Sequence, residues 1–269
     1  MTDKKYLMEN ADEIRRLEMK TGFSALKNQA VWAGLKPGMR VLDIGCGSGK
    51  TTRFLKTLSG EKGSVLGLDR SGERIEYAQK KYRNTGIQFV CKDVYNDLGD
   101  LGYFDFIWAR FFLEYHKAKS ADLVETFSRL LLPGGIMCLI DLDHNSLNHY
   151  GLPSRLFRAV NGCVRSLEER ADFDPYIGRK LYSFLYDLHY RDINVHVGAH
   201  HLLFGEIHDT VEFNLITKVT VAGRDSGYSF EEYPGGYDEF YHECRKYLAD
   251  PRRFTYSPLI SCRGVKPSE

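Results

Sequence analysis

The sequence predicts an α/β fold, a doubly wound parallel sheet with helices on both faces. Three observations predict it. Short apolar runs alternate with helix-spaced segments from Arg40 to Asp141, a glycine-rich turn follows the first run at once, and Pro133, Gly134 and Gly135 end the helix-spaced segment before the last of those runs. Such alternation builds parallel strands joined by crossover helices, with the ligand crevice at the carboxyl ends of the strands.

Each element can be read in order. Ile14, Leu17, Phe23, Leu26 and Ala30 carry a helical spacing with a break at Gly22, so residues 1–33 are expected to form a helical lead-in. Gly34, Pro37 and Gly38 make a loop, RVLDIG a buried strand, and residues 51–58 the helix after it. SVLGLD is the second strand, and Ser71 is placed to cap a helix carrying Ile75, Ala78 and Tyr82. IQFVC, FDFIWA and IMCLID supply three more strands, with a helix through Leu123, Phe127 and Leu130. Residues 177–188 read as helix, INVHV and TYSPLISCRG as strands, and 205–250 as helical and rich in Tyr and Phe. Insertions beyond strand ends commonly cap the crevice, so 205–250 with part of 144–175 is expected to do so, over a domain formed by 34–204 and 251–269.

Composition narrows the function. Lys and Arg number 37 against 36 Asp and Glu, a net charge of +1, so nothing draws the whole molecule to nucleic acid or an anionic membrane. The first ten residues hold no apolar signal core, and no apolar run approaches the ~20 residues of a membrane span; a cytoplasmic location is expected, with the oligomeric state open. Six scattered cysteines form no CxxC pair, and Cys46, Cys91 and Cys138 read as small buried hydrophobes in or beside strands. His196, His200 and His201 lack partners at ligand spacing, since a strand throws adjacent residues to opposite faces; no metal is expected.

VLDIGCGSGKTT carries the chemistry. Gly45, Gly47 and Gly49 let the backbone turn sharply and approach a ligand closely. Three ligand classes use such a loop. A phosphate loop needs glycine five residues before Gly49, where Ile44 stands. A dinucleotide loop needs glycine at position 50, which is Lys50, although Asp69 lies at the distance of a ribose acid. The third reading follows from VLDIGCGSG itself, which resembles the DxGxGxG signature of class I S-adenosylmethionine-dependent methyltransferases. FDFIWARFFLEYH resembles that family's fourth strand and following turn, and RLLLPGGIMCLIDLD its PGG turn and fifth strand; together the likeness covers about residues 35–143.

The resemblance implies a seven-stranded sheet of order 3-2-1-4-5-7-6 with the last strand antiparallel, and S-adenosylmethionine as cofactor. It places Asp43, Gly45, Cys46, Gly47 and Gly49 around the methionine moiety, Asp69 and Arg70 at the ribose, Asp93 and Val94 at the adenine, and Ala109 and Arg110 at the end of the fourth strand. Each acid has a plainer alternative: Asp43 as a loop cap, Asp69 as a helix N-cap, Asp93 as a turn residue. Trp108, Phe111, Phe112 and Tyr115 flank the same edge, where an aromatic face could stabilise a sulfonium. A base, where the acceptor needs one, is sought among His144, His116 and Glu114, with Asp141 and Asp143 beside them after strands four and five. The chain lacks the family's Asn-Pro-Pro-Tyr amino-base motif, a Pro-Cys nucleophile and the paired-glutamate hairpin of protein arginine methyltransferases, so a small-molecule acceptor is expected. A binding protein without turnover and an NAD-dependent oxidoreductase stay open as alternatives.

Overall fold

A computed structural model describes Ile14, residues 22–144 and residues 148–268. Most of the lead-in, including Leu17, lies outside the described residues. The strands are β1 (Arg40–Ile44), β2 (Ser64–Asp69), β3 (Gln88–Cys91), β4 (Phe104–Arg110), β5 (Leu131–Leu142), β6 (Asn148–Tyr150), β7 (Arg191–Leu203) and β8 (Phe254–Val265). The helices are α1 (Phe23–Ala33), α2 (Lys50–Ser59), α3 (Gly72–Lys81), α4 (Ser120–Arg129), α5 (Ser154–Arg170), α6 (Leu181–Asp187), α7 (Asp209–Asp225) and α8 (Gly236–Ala249).

The sheet runs β3-β2-β1-β4-β5-β8, with β7 on the far side of β8. The first five strands in that row pair in parallel, and β8 is antiparallel to both β5 and β7. The implied order is therefore found, with the last strand slotted between β5 and β7. β6 is an addition: it pairs with residues 254–256 of β8, on the side that β5 covers further along, because β7 already occupies the other edge at Thr255. β7 is also far longer than INVHV, reaching Leu203.

Period-two alternation divides the core between the two faces of the sheet. Leu42, Ile44, Leu68, Ile107, Ala109 and Leu139 pack with α4 and α6 on one face. Val41, Val65, Phe106, Trp108, Cys138 and Ile140 pack with α1 and α2 on the other. Both faces being covered is why these strands read as continuous apolar runs. α1 ends where Gly34 takes φ 98° and sends its N–H back to the last turn, the usual left-handed helix stop. α3 begins as expected on Ser71, whose hydroxyl accepts the Arg74 N–H at 3.4 Å, and carries Lys80 and Lys81 in its last turn.

A third cluster stands apart from the sheet. Leu156 and Cys163 from α5 meet Phe240, Cys244 and Leu248 from α8, and Val219 of α7 packs against them. Phe230 and Tyr233 are buried in this cluster, at ring distances of 4.7 and 5.8 Å from Phe240. The aromatic wealth of 205–250 is thus largely the core of a helical layer.

Candidate active site

The glycine loop joins β1 to α2. Gly45, Gly47 and Gly49 all adopt positive φ, at 70°, 55° and 80°. At Gly45 a Cβ would lie 2.6 Å from the Phe112 ring, and at Gly49 it would lie 2.8 Å from Phe89, so glycine is needed for both backbone conformation and space. The loop amides, however, turn inward. Gly45 and Cys46 donate to the Leu68 carbonyl at 2.8 and 3.0 Å, Gly49 donates to the Cys46 carbonyl at 3.0 Å, and Gly47 donates to Asp69 Oδ2 at 2.9 Å. A phosphate cradle needs those N–H groups aimed at its ligand; here they close the loop on the protein.

Two acids frame the loop. Asp43, at the end of β1, is buried and accepts the Thr52 hydroxyl at 2.7 Å. Burial pushes its carboxyl up to about 7; Thr52 and the Arg110 guanidinium pull it down, and the Asp69 charge pushes it further up. Asp69, at the end of β2, is bound on both oxygens. Oδ1 accepts the Ser71 N–H at 2.9 Å and the Arg74 guanidinium at 3.0 and 3.3 Å, while Oδ2 accepts, among the described residues, the Gly47 N–H alone. Asp69 therefore does more than cap α3. It ties the loop to the helix and keeps lone-pair capacity on Oδ2. Arg74 was not among the expected site residues; an acid at a strand end five residues before a basic residue in the next helix turn is its sequence signal.

The remaining expected cofactor residues divide by exposure. Arg70 is exposed and Asp93 half-buried, with Asp93 Oδ1 accepting the Tyr95 N–H at 3.0 Å in a turn. Val94 and Ala109 point their side chains into the core, so only their backbone could meet a ligand. Cys46 is buried in the loop with its thiol held well above the ordinary range by burial, whereas Cys91 is exposed at the end of β3, against the expectation of burial, because β3 forms the edge of the sheet. Arg110 is half-buried, with Nε buried and without a hydrogen-bond partner among the described residues; desolvation brings its guanidinium down to about 10 while Asp141 and Asp43 hold it up. Its charge lies 4.1 Å over the Phe111 ring. Of the four flanking aromatics, Phe112 lies against the loop, Trp108 is core, Phe111 sits beneath Arg110 and 5.0 Å from His200, and Tyr115 faces Phe173 at 5.9 Å.

The three base candidates occupy different ground. His116 lies 4.4 Å over Phe112, with Nδ1 2.8 Å from the Tyr95 hydroxyl. Burial first, and the Arg70 charge second, bring it down to about 4, so it is a neutral imidazole at neutral pH. Glu114 is buried beside Asp141, whose Oδ2 accepts the Leu113 and Phe112 N–H groups at 2.9 and 3.2 Å. Burial and the Glu114 charge raise Asp141 well above the carboxylate range despite those bonds. His144 follows β5 at φ 55°, with its ring 5.6 Å from Tyr176 and Nδ1 buried without a hydrogen-bond partner among the described residues. Asp143 is spent on Arg179 at 2.8 and 3.0 Å. On β7, His196 packs against Trp32 at 5.9 Å and His200 against Phe111; the side chain of His201 lies outside the described residues.

Comparison with known proteins agrees with this geometry. Residues 41–135 match the family model described as a methyltransferase domain. A probable cobalt-precorrin-6B C(15)-methyltransferase from Thermoplasma acidophilum is 39% identical over 101 residues, 36% of this chain and 48% of that protein. The 2-phytyl-1,4-naphtoquinone methyltransferase of Synechococcus elongatus is 32% identical over 120 residues, 43% of this chain and 52% of its own length. The chain thus spans about half the length of the curated relatives it matches. Among solved structures, a Haemonchus contortus phosphoethanolamine N-methyltransferase 2 superposes with a TM-score of 0.60 at 17% identity, covering 99% of this chain and 61% of that one. The YcgJ protein of Bacillus subtilis does so at 0.58 and 14% identity, covering 92% and 100%. These two likenesses concern the fold. Residues 41–135 thus match a methyltransferase domain, and the loop and the strand order agree with that match.

Proposed function

We propose that this protein transfers the methyl group of S-adenosylmethionine to a small-molecule acceptor. The observation that carries the reading is Asp43: a buried carboxylate held up to about 7 beside a tightly closed glycine loop is short of a cation, and an α-ammonium group would satisfy it. Asp69 Oδ2 can accept a ribose hydroxyl, Asp93 and the backbone of Val94 are assigned to the adenine, and the Arg110 guanidinium offers an unused donor to a carboxylate. When bound, the cofactor supplies an electrophilic methyl carbon on a sulfonium, and sulfur keeps the bonding pair as the methyl leaves.

The chain's own part is to hold an acceptor about 3 Å from that carbon, in line, and to exclude water. We assign 34–204, apart from α5, and 251–269 to the cofactor-binding unit and α5, α7 and α8 to a cap over the acceptor. Where the acceptor loses a proton, His144 Nδ1 is the group we place to receive it. His116, brought down to about 4, is too weak a base for that task at neutral pH and instead braces Phe112. Relatives named for a precorrin and a naphthoquinone, and a net charge of +1, support a small acceptor over a nucleic acid, in the cytoplasm. Among the described residues no helix is long and apolar enough to cross a membrane.

The test is transfer of a labelled methyl group from S-adenosylmethionine to a cell extract. Label in the low-molecular-weight fraction supports the reading. Label confined to protein or nucleic acid refutes the acceptor class, and tight cofactor binding with no transfer would mark a binding protein without turnover.

A further inference from the structure

The helical layer lines a partly open cavity of about 160 Å³. Leu156, Cys163, Val219, Phe240, Cys244 and Leu248 make up much of its wall, and these same side chains form the cluster that holds the layer together. Its polar neighbours at the β8 end are turned toward one another. The Tyr247 hydroxyl donates to the Tyr150 carbonyl at 3.0 Å and lies 3.1 Å from Thr255 Oγ1, which in turn is 3.0 Å from His149 Nδ1. Protein interiors close voids of this kind, because the lining atoms forfeit their dispersion partners. A space of about 150 Å³ lined by aliphatic and aromatic groups stays dry and accepts a benzene-sized molecule.

The cavity also borders the reaction edge. Tyr115 and Phe173 line it from below, and Tyr115 closes the turn whose Leu113 and Phe112 N–H groups are anchored on Asp141 at the end of β5. Ser257, on the β8 segment that continues past the end of β5, lines it as well. One turn therefore joins the end of β4 to the floor of the cavity.

We propose that the cavity receives a hydrocarbon portion of the methyl acceptor, so that the acceptor class is apolar or amphipathic: a compound bearing an aromatic ring or alkyl chain of about six to eight carbons, its reactive atom at the strand ends. The assignment of that occupant as the acceptor rests on the methyltransferase reading; the existence of the apolar site does not. Burial of the hydrocarbon against α5, α7 and α8 removes apolar surface from water and adds binding energy remote from the reacting atom, which positions it.

The experiment uses toluene as the probe, titrated into the full chain and followed by NMR, alongside Cys163→Phe and Ala222→Leu, which fill the space from α5 and α7. Wild-type protein should bind toluene saturably, and each variant should lose at least tenfold in affinity while S-adenosylhomocysteine affinity stays within twofold, which also certifies that the variant is folded. Absence of toluene binding to wild type, or binding undiminished in a folded variant, overturns the site. In the labelling assay, methyl label should partition into organic solvent and fall at least tenfold in the filled variants. Label found only in the aqueous phase overturns the acceptor class. Toluene binding without S-adenosylhomocysteine binding would keep the apolar site and reject the methyltransferase reading, separating the two failures.

Discussion

The Thr52 hydroxyl donates to Asp43 Oδ2 at 2.7 Å across the glycine loop, tying the first turn of α2 to the end of β1. That single bond does not offset the burial of the carboxylate, which is why Asp43 sits at about 7 instead of 3.8. A cationic ligand group beside it would favour the ionised form.

Cofactor affinity is accordingly expected to fall as pH drops below 7. Protons and the ligand ammonium compete for one carboxylate, so the dissociation constant should rise up to tenfold for each pH unit below the Asp43 value. Titration calorimetry with S-adenosylhomocysteine between pH 5.5 and 8 measures this; a flat profile would detach Asp43 from the ligand.

Asp43 also sets a stability prediction for the ligand-free protein. Between pH 3.8 and about 7 the unfolded carboxyl is ionised while the folded one holds its proton, so the folded state binds more protons and stability falls as pH rises through that window. At ~1.4 kcal/mol per pH unit the loss is at most about 4 kcal/mol. Asp43→Asn should therefore unfold at a higher temperature than wild type above pH 7, show little difference near pH 4, and bind cofactor poorly. A variant less stable than wild type at pH 8 would speak against a strained carboxylate.

Asp69 and Arg74 are both nearly inaccessible, with side chains 8% and 9% exposed. Asp69→Ala leaves the guanidinium uncompensated and frees the Gly47 N–H, so a loss of about 3 to 5 kcal/mol in stability is expected, together with cofactor binding weakened by about 1.5 to 3 kcal/mol. Denaturant unfolding and calorimetry on the same samples separate the two effects. Unchanged affinity would remove Asp69 from the ribose site.

His144→Ala should lower kcat by about 10² to 10⁴ with cofactor affinity intact, if the acceptor gives up a proton. His116→Ala should act in the opposite column: it removes the ring over Phe112 and the Tyr95 contact, so cofactor affinity weakens while kcat changes less than tenfold. Glu114→Gln, beside Asp141, is expected to leave kcat within tenfold. A large kcat loss confined to His116→Ala would reverse the assignment.

The sheet was legible because its signals are local. RVLDIG, SVLGLD and FDFIWA are buried on both faces along most of their length. The loop glycines were legible for the same reason, their φ values and the closeness of Phe112 and Phe89 leaving no room for a side chain. What depends on distant partners was not legible. Arg74 on Asp69, the inward turn of the loop amides, and the exposure of Cys91 on an edge strand all follow from which elements become neighbours. Among the aromatics of 205–250, Phe240 lines the cavity, whereas Phe230 and Tyr233 are buried in the layer itself. Aromatic spacing alone does not say which side of a helix faces an empty space.

A cofactor site built from Asp43, Asp69 and the glycine loop is tested by calorimetric titration of the full chain with S-adenosylhomocysteine and with NAD at pH 7.5. Saturable one-to-one binding of S-adenosylhomocysteine, lost or weakened by Asp69→Ala, is expected, with no binding of NAD. Saturable binding of NAD with none of S-adenosylhomocysteine would contradict it.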